Sequence, residues 1–121
     1  MTQKKRMNAT KRADALFSAA VRSRGVCEIA EWGLAGPPCS GALQCCHIIS
    51  RRYRAIRWDE DNALCGCQAH HTYYTHRPLE WEEACRVNGI DWDRLRDIAL
   101  NGKPVDPYLV IEAYQGRHDH A

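Results

Sequence analysis

The chain has 121 residues, a formal charge of +2 and 45% apolar residues, which is the size and make-up of one small domain. Phe occurs once and Cys seven times, so the core is small and a staple beyond apolar burial is expected. No apolar run approaches a membrane-spanning length, and the start, MTQKKRMNATKRADALFSAA, lacks the sustained apolar region of a secretory signal.

The charge is unevenly spread. Residues 1–24 hold seven Lys and Arg against Asp14, whereas residues 79–121 hold five basic against nine acidic side chains. A basic arm of this kind suits a nucleic-acid backbone, or the wet side of an amphipathic helix. Residues 1–8 are expected to lack regular structure. From Asn8 or Thr10 to Arg24, the spacing of Ala13, Leu16, Phe17, Ala20 and Val21 predicts a helix stopped by Gly25. The run GLAGPPCSG makes residues 26–42 a loop.

A hairpin and a helix follow. Ala42–Ser50 reads as a strand with a shorter partner at Ala63–Cys65, joined by the long polar connection RRYRAIRWDEDN; long connections in small domains are usually functional. Gln68–His76 reads as a helix that stops near Pro78. Leu79–Asn88, Trp92–Asn101 after Asp91, and Pro107–Tyr114 after Asp106 read as amphipathic helices. Trp81, Trp92, Leu95, Ile98, Leu109 and Ile111 are expected to pack, and the two histidines of the tail GRHDHA to be incidental. The divisions are thus a basic arm and helix (1–25), a central unit (26–78) and a helical extension (79–121).

Without an export signal the expected compartment is the reducing cytoplasm, where clustered cysteines read as metal ligands before disulfides. Cys67 and His70 stand three apart at a helix start and project from nearly one face, the spacing of half a zinc knuckle. Cys27 and Cys39, flanking the Gly/Pro loop, are the chosen other half, with Cys45, Cys46 and Cys65 competing for places. Cys85 reads as a buried packing thiol. Neighbouring helical side chains diverge by about 100°, so His71 faces away from His70 and is free for a second, catalytic metal. His76 sits poorly on that face.

His47, at the end of the first strand, suits a general base near neutral pH, and a divalent cation on His71 could stabilise a departing 3′ oxygen. Asn62 either orients the histidine or braces the loop. Arg51, Arg52, Arg54 and Arg57 offer fork geometry for DNA phosphates. Arg54 and Arg57 could instead pair with Asp59, Glu60 and Asp61, which leaves Arg51 and Arg52 as the stronger phosphate candidates.

The run HIISRRY…RWDEDNALC…HH…THRP resembles the HNH, or ββα-metal, endonuclease superfamily over about residues 27–78, and in particular small phage and prophage members of the NinG type. The resemblance implies an α+β fold, a small zinc-stabilised ββα-metal core with a flanking N-terminal helix and C-terminal helices. It makes His47 the general base, Asn62 the supporting asparagine and His71 a catalytic metal ligand. It assigns a structural zinc to Cys27, Cys39, Cys67 and His70. It further implies Mg²⁺, Mn²⁺, Ni²⁺ or Zn²⁺ as catalytic metal, DNA as substrate, a bacterial host cell, and phage recombination or packaging proteins as partners; double-strand cutting by one small active site would favour a homodimer or two successive nicks. Two departures stand out. Cys46 occupies the place before the base where many relatives carry Asp or His as a metal ligand, and the first cysteine pair is opened by eleven residues. The alternative is a non-catalytic zinc module that binds DNA or protein; a redox protein is disfavoured because the chain has no Cys-x-x-Cys pair.

Overall fold

A computed structural model of the chain describes residues 2–33 and 36–119, with side chains to Gly116. Helix α1 (Gln3–Arg22) starts well before the expected Asn8 or Thr10. The Thr2 side chain accepts a hydrogen bond from the Lys5 amide at 3.2 Å, and no Gly or Pro interrupts QKKRMN, so the helix extends back to this cap. The expectation of irregular structure over residues 1–8 is thereby corrected for residues 3–8, Met1 lying outside the described residues. One face of α1 buries Ala9, Thr10, Ala13, Phe17 and Val21.

Strands β1 (Leu43–His47) and β2 (Ala63–Cys67) form a two-stranded antiparallel sheet in which Cys45 faces Cys65 and His47 faces Ala63. β1 is shorter than expected because the chain turns after Ile48, whose amide makes a last bond to the Asn62 carbonyl at 2.8 Å. β2 is longer and runs to Cys67, whose side chain accepts from the His70 amide and caps helix α2 (Gln68–Thr75). Gly66 is required by crowding: a Cβ there would lie 2.7 Å from Ile29 Cδ1 and 2.9 Å from Cys46 Sγ.

Three helices complete the α+β fold: α3 (Pro78–Val87), α4 (Trp92–Asn101) and α5 (Pro107–Asp119). Pro78 stands in the first turn of α3, where its missing N–H costs nothing. Asp91 caps α4 through the Arg94 amide at 3.1 Å, as the sequence predicts. Leu109, expected to pack, is 62% exposed; α5 buries Val110, Ile111 and Tyr114 instead. These three join Phe17, Val21, Trp58 and Cys65 in one cluster, so the first and last segments of the chain share a core. A second cluster, of Ile48, Ile49, Ile56, Cys85, Leu95 and Ala99, carries the connection between the strands on α3 and α4. The tail histidines fall outside the described side chains. Among the described residues no helix is long and apolar enough to cross a membrane.

Candidate metal centre and histidine cleft

Cys27, from the segment after α1, and Cys39, from the Gly/Pro loop, meet Cys67 and His70 at the β2–α2 junction, with all four ligand atoms within 4.8 Å of one another. His70 Nδ1 lies 3.3 Å from Cys27 Sγ, 3.7 Å from Cys39 Sγ and 3.2 Å from Cys67 Sγ. A tetrahedral ion with bonds of about 2.3 Å to sulfur and about 2.0 Å to nitrogen needs ligand separations of roughly 3.6 Å, so the donor set has the dimensions as well as the softness for zinc. The Cys67 amide donates to Cys27 Sγ at 3.3 Å, and the His70 amide to Cys67 Sγ at 3.5 Å, which favours the thiolate forms a metal requires. Burial opposes ionisation of Cys67, but the backbone of His70 and Ser40 and the neighbouring thiols of Cys39 and Cys27 outweigh it, bringing the group down to about 7.

The other four cysteines stand apart from this centre. Burial pushes Cys45 up to about 11, and Cys46 and Cys85 up to about 12; Cys65 is raised for the same reason. Cys45 and Cys65 pack toward α1, whereas Cys46 lies under Ile29 and Tyr74. In each of the four, burial favours the neutral thiol.

His71 leaves α2 on a different side from His70. Its Nδ1 is 2.7 Å from Gln44 Oε1; since the amide oxygen accepts, Nδ1 carries the proton and Nε2 keeps a free lone pair. His47 ends β1, and its Nε2–H donates to the Arg57 carbonyl at 2.8 Å, leaving Nδ1 as the free acceptor. Its ring packs 5.7 Å from that of Phe17. Both histidines and Thr75 line a cleft of about 720 Å³ that opens toward Asp14, Ser18 and Arg51. The same three residues also border a smaller hollow of about 170 Å³ that reaches Cys46 and Trp81. Burial depresses the pKa of both histidines, so each gives up its proton more readily than an ordinary imidazole.

Asn62 is fully buried and does not bond to His47. Its Oδ1 accepts from the Ile49 amide at 2.8 Å, and its Nδ2 donates to the carbonyls of Ile49 and Ile56 at 2.9 and 3.3 Å. Of the two roles open in the sequence, it takes the second: it braces the connection that carries Arg57.

The arginines divide in a way the local sequence does not suggest. Arg57 grips Asp14 through Nε and Nη2 at 2.9 and 2.6 Å, and Trp58 Nε1 donates to the same carboxylate at 2.9 Å. Burial opposes ionisation of Asp14, yet these bonds and the nearby guanidinium charges hold its pKa below the usual value. Arg54 bonds to Thr10 Oγ1 at 3.2 Å and lies over Trp58. Arg52 covers the Tyr53 ring. Arg51 reaches Asp14 at 4.0 Å and is 64% exposed at the cleft rim. Asp61 pairs with Arg94, and Glu60 with Arg24, instead of with the arginines of their own segment. His76 caps the end of α2 and is exposed.

Asp14 and Gln44 were missed as site residues. Asp14 stands one helical turn from Phe17 on α1, which was a visible signal, whereas the contact of Gln44 depends on how α2 returns over β1. Among the described residues, Cys46, His47 and His71 form no group of three ligands; the Cys₃His set is the one such group found. No family model, curated protein or solved structure matches the chain.

Proposed function

We propose that the protein is a metal-dependent HNH-type endonuclease that hydrolyses DNA phosphodiester bonds, with Cys27, Cys39, Cys67 and His70 holding a structural zinc. The observation that carries this reading is the pair of hydrogen-bonded imidazoles lining one cleft, His47 with Nδ1 free and His71 with Nε2 free. The order of a histidine at a strand end, a buried asparagine before the second strand and a histidine on the following helix agrees with an HNH arrangement.

In this reading His47 takes a proton from water at Nδ1, and the imidazolium so formed is stabilised through its Nε2–H by the Arg57 carbonyl. Asn62 and the Asp14–Arg57 pair hold that carbonyl in place. Arg51, the freest of the four arginines at the rim, neutralises a flanking phosphate. His71 Nε2, aimed by Gln44, would hold a divalent cation, with water or phosphate oxygens completing its shell. The cation would supply charge against the leaving oxygen.

The test is nicking of supercoiled plasmid with Mg²⁺, Mn²⁺, Ni²⁺ or Zn²⁺, by the native chain and by His47→Ala. Nicking by the native chain alone is expected; no nicking in any metal, or equal nicking by both, overturns the assignment. The lack of a second three-ligand group among the described residues favours one competing reading, a zinc-stabilised binding module without hydrolysis. That reading predicts DNA binding and no cleavage in the same assay.

A further inference from the structure

The basic residues of α1 are arranged, not merely abundant. Asp14 and Ser18 of this helix line the large cleft. Lys11 lies two turns before Ser18, Lys4 two turns before Lys11, and Arg22 one turn after Ser18, so all four share one helical row. Lys4, Lys11 and Arg22 are exposed, and among the described residues none of them is ion-paired. The one carboxylate beside the row, Asp14, is occupied by Arg57 and Trp58. Lys5 and Arg12 lie on the same helix but are turned about 100° further from the cleft.

We infer that this row is a rail for the backbone of double-stranded DNA, placing one strand across the histidine cleft. The inference rests on the reading of that cleft as a phosphodiester site and adds to it the form of the substrate. Three observations favour a duplex over a single strand. At 1.5 Å per residue, Lys4 and Arg22 are roughly 27 Å apart on a rigid helix, just short of one B-DNA turn of about 34 Å. The cations stand on both sides of the cleft, with Lys4 and Lys11 before it and Arg22 after it, as a stiff polyanion crossing the site would require. Non-specific single-strand binders also use exposed aromatic rings as stacking platforms. The one aromatic ring of α1, Phe17, is 1% exposed and faces the core. The surplus of acidic residues over 79–121 disfavours the same backbone elsewhere and helps orient it.

The experiment compares two variants that remove equal charge, Lys4→Ala/Lys11→Ala on the row and Lys5→Ala/Arg12→Ala off it. Both are made in the zinc-loaded His47→Ala chain so that the probe stays intact. Fluorescence anisotropy follows binding to a duplex of about 30 base pairs, and to one of its strands alone, over a range of salt. The row variant should weaken duplex binding about tenfold or more near 0.1 M salt, and flatten the slope of log K against log salt by about 2. The off-row variant should lose about threefold or less, and the duplex should bind more tightly than the strand. Equal losses for the two variants, no loss for the row variant, or tighter binding of the single strand would overturn the rail. If the rail fails while native protein still nicks plasmid, the nuclease reading stands without it. If the contrast holds but no metal supports nicking, the rail stands and the nuclease reading falls.

Discussion

Gln44 and His71 meet across the gap between β1 and α2, with the glutamine oxygen 2.7 Å from His71 Nδ1. The contact sets which nitrogen of the imidazole carries the proton, and so which one can bind a cation. Groups that orient a ligand in this way typically affect metal affinity or activity 10–100-fold. Gln44→Leu keeps the size of the side chain and removes the acceptor. Nicking should fall by about tenfold or more at low metal and recover in part at high metal, with the thermal midpoint little changed. Metal titrations of the nicking rate beside thermal melts check this; a loss that no metal concentration relieves would count against it.

The structural centre makes a prediction of the opposite kind. If the Cys₃His set holds zinc as proposed, Cys39→Ala and Cys67→Ala should each lose that ion and melt far below the native chain, because binding energy at such a site is folding energy. Cys45→Ala, which alters a thiol outside the ligand set, should keep its zinc. Metal analysis and melting curves on the three variants decide it, and retention of zinc by Cys67→Ala would refute the ligand assignment.

Asn62→Ala should be costly without touching any reacting group. It strips the Ile49 amide and the Ile49 carbonyl of their partners, both buried with the side chain, whereas the Ile56 carbonyl keeps the Asp59 amide at 3.3 Å. At about 1 kcal/mol or more for each of the two unpaired groups, the loss is about 2 kcal/mol, readable as a shift in the urea midpoint at unchanged slope. A loss under about 1 kcal/mol would mean that water replaces the amide.

His47 gives a pH signature. Burial lowers its pKa from the ordinary 6.5; the Arg57 carbonyl and Asp14 oppose this, and the Arg51 and Arg57 charges reinforce it. Because the folded value lies below the unfolded one, the unfolded chain takes up this proton first as the pH falls. The contribution of the group to stability is therefore full above about 6.5, declines below it, and levels off only below the folded value. The same shift keeps the base unprotonated further into the acid range, so the acid limb of kcat/KM should have its midpoint below 6.5. A midpoint at or above 6.5 would contradict the burial seen at this residue.

Local geometry was readable from the sequence, and long-range pairing was not. The spacing of Cys67 and His70 placed them together because one helical turn relates them, and the divergence of His71 followed from the same turn. The selection of Cys27 and Cys39 from the remaining thiols also matches the assembled cluster, since a Gly/Pro loop can fold back on a metal. Arg57 shows the limit. Its candidate partners were the acids next to it in sequence, but the structure gives it Asp14, from a helix that lies across the connection only once the core has formed. Leu109 shows another: period alone could not say whether it or Val110 turns inward on α5. The start of α1 lies earlier than the apolar spacing implies, because nothing in QKKRMN breaks a helix and Thr2 caps it.

Cys67 ends a strand, caps a helix and joins the metal centre, and His71 stands only four residues further on. In the proposed reading, capture of an ion at Cys67 would order the start of α2 and the aim of His71 together. In that reading, chains without zinc would carry His47 and His71 without their alignment. In this reading, metal supply acts as a maturation step, and an enzyme able to damage its host's genome stays inert until its scaffold is finished.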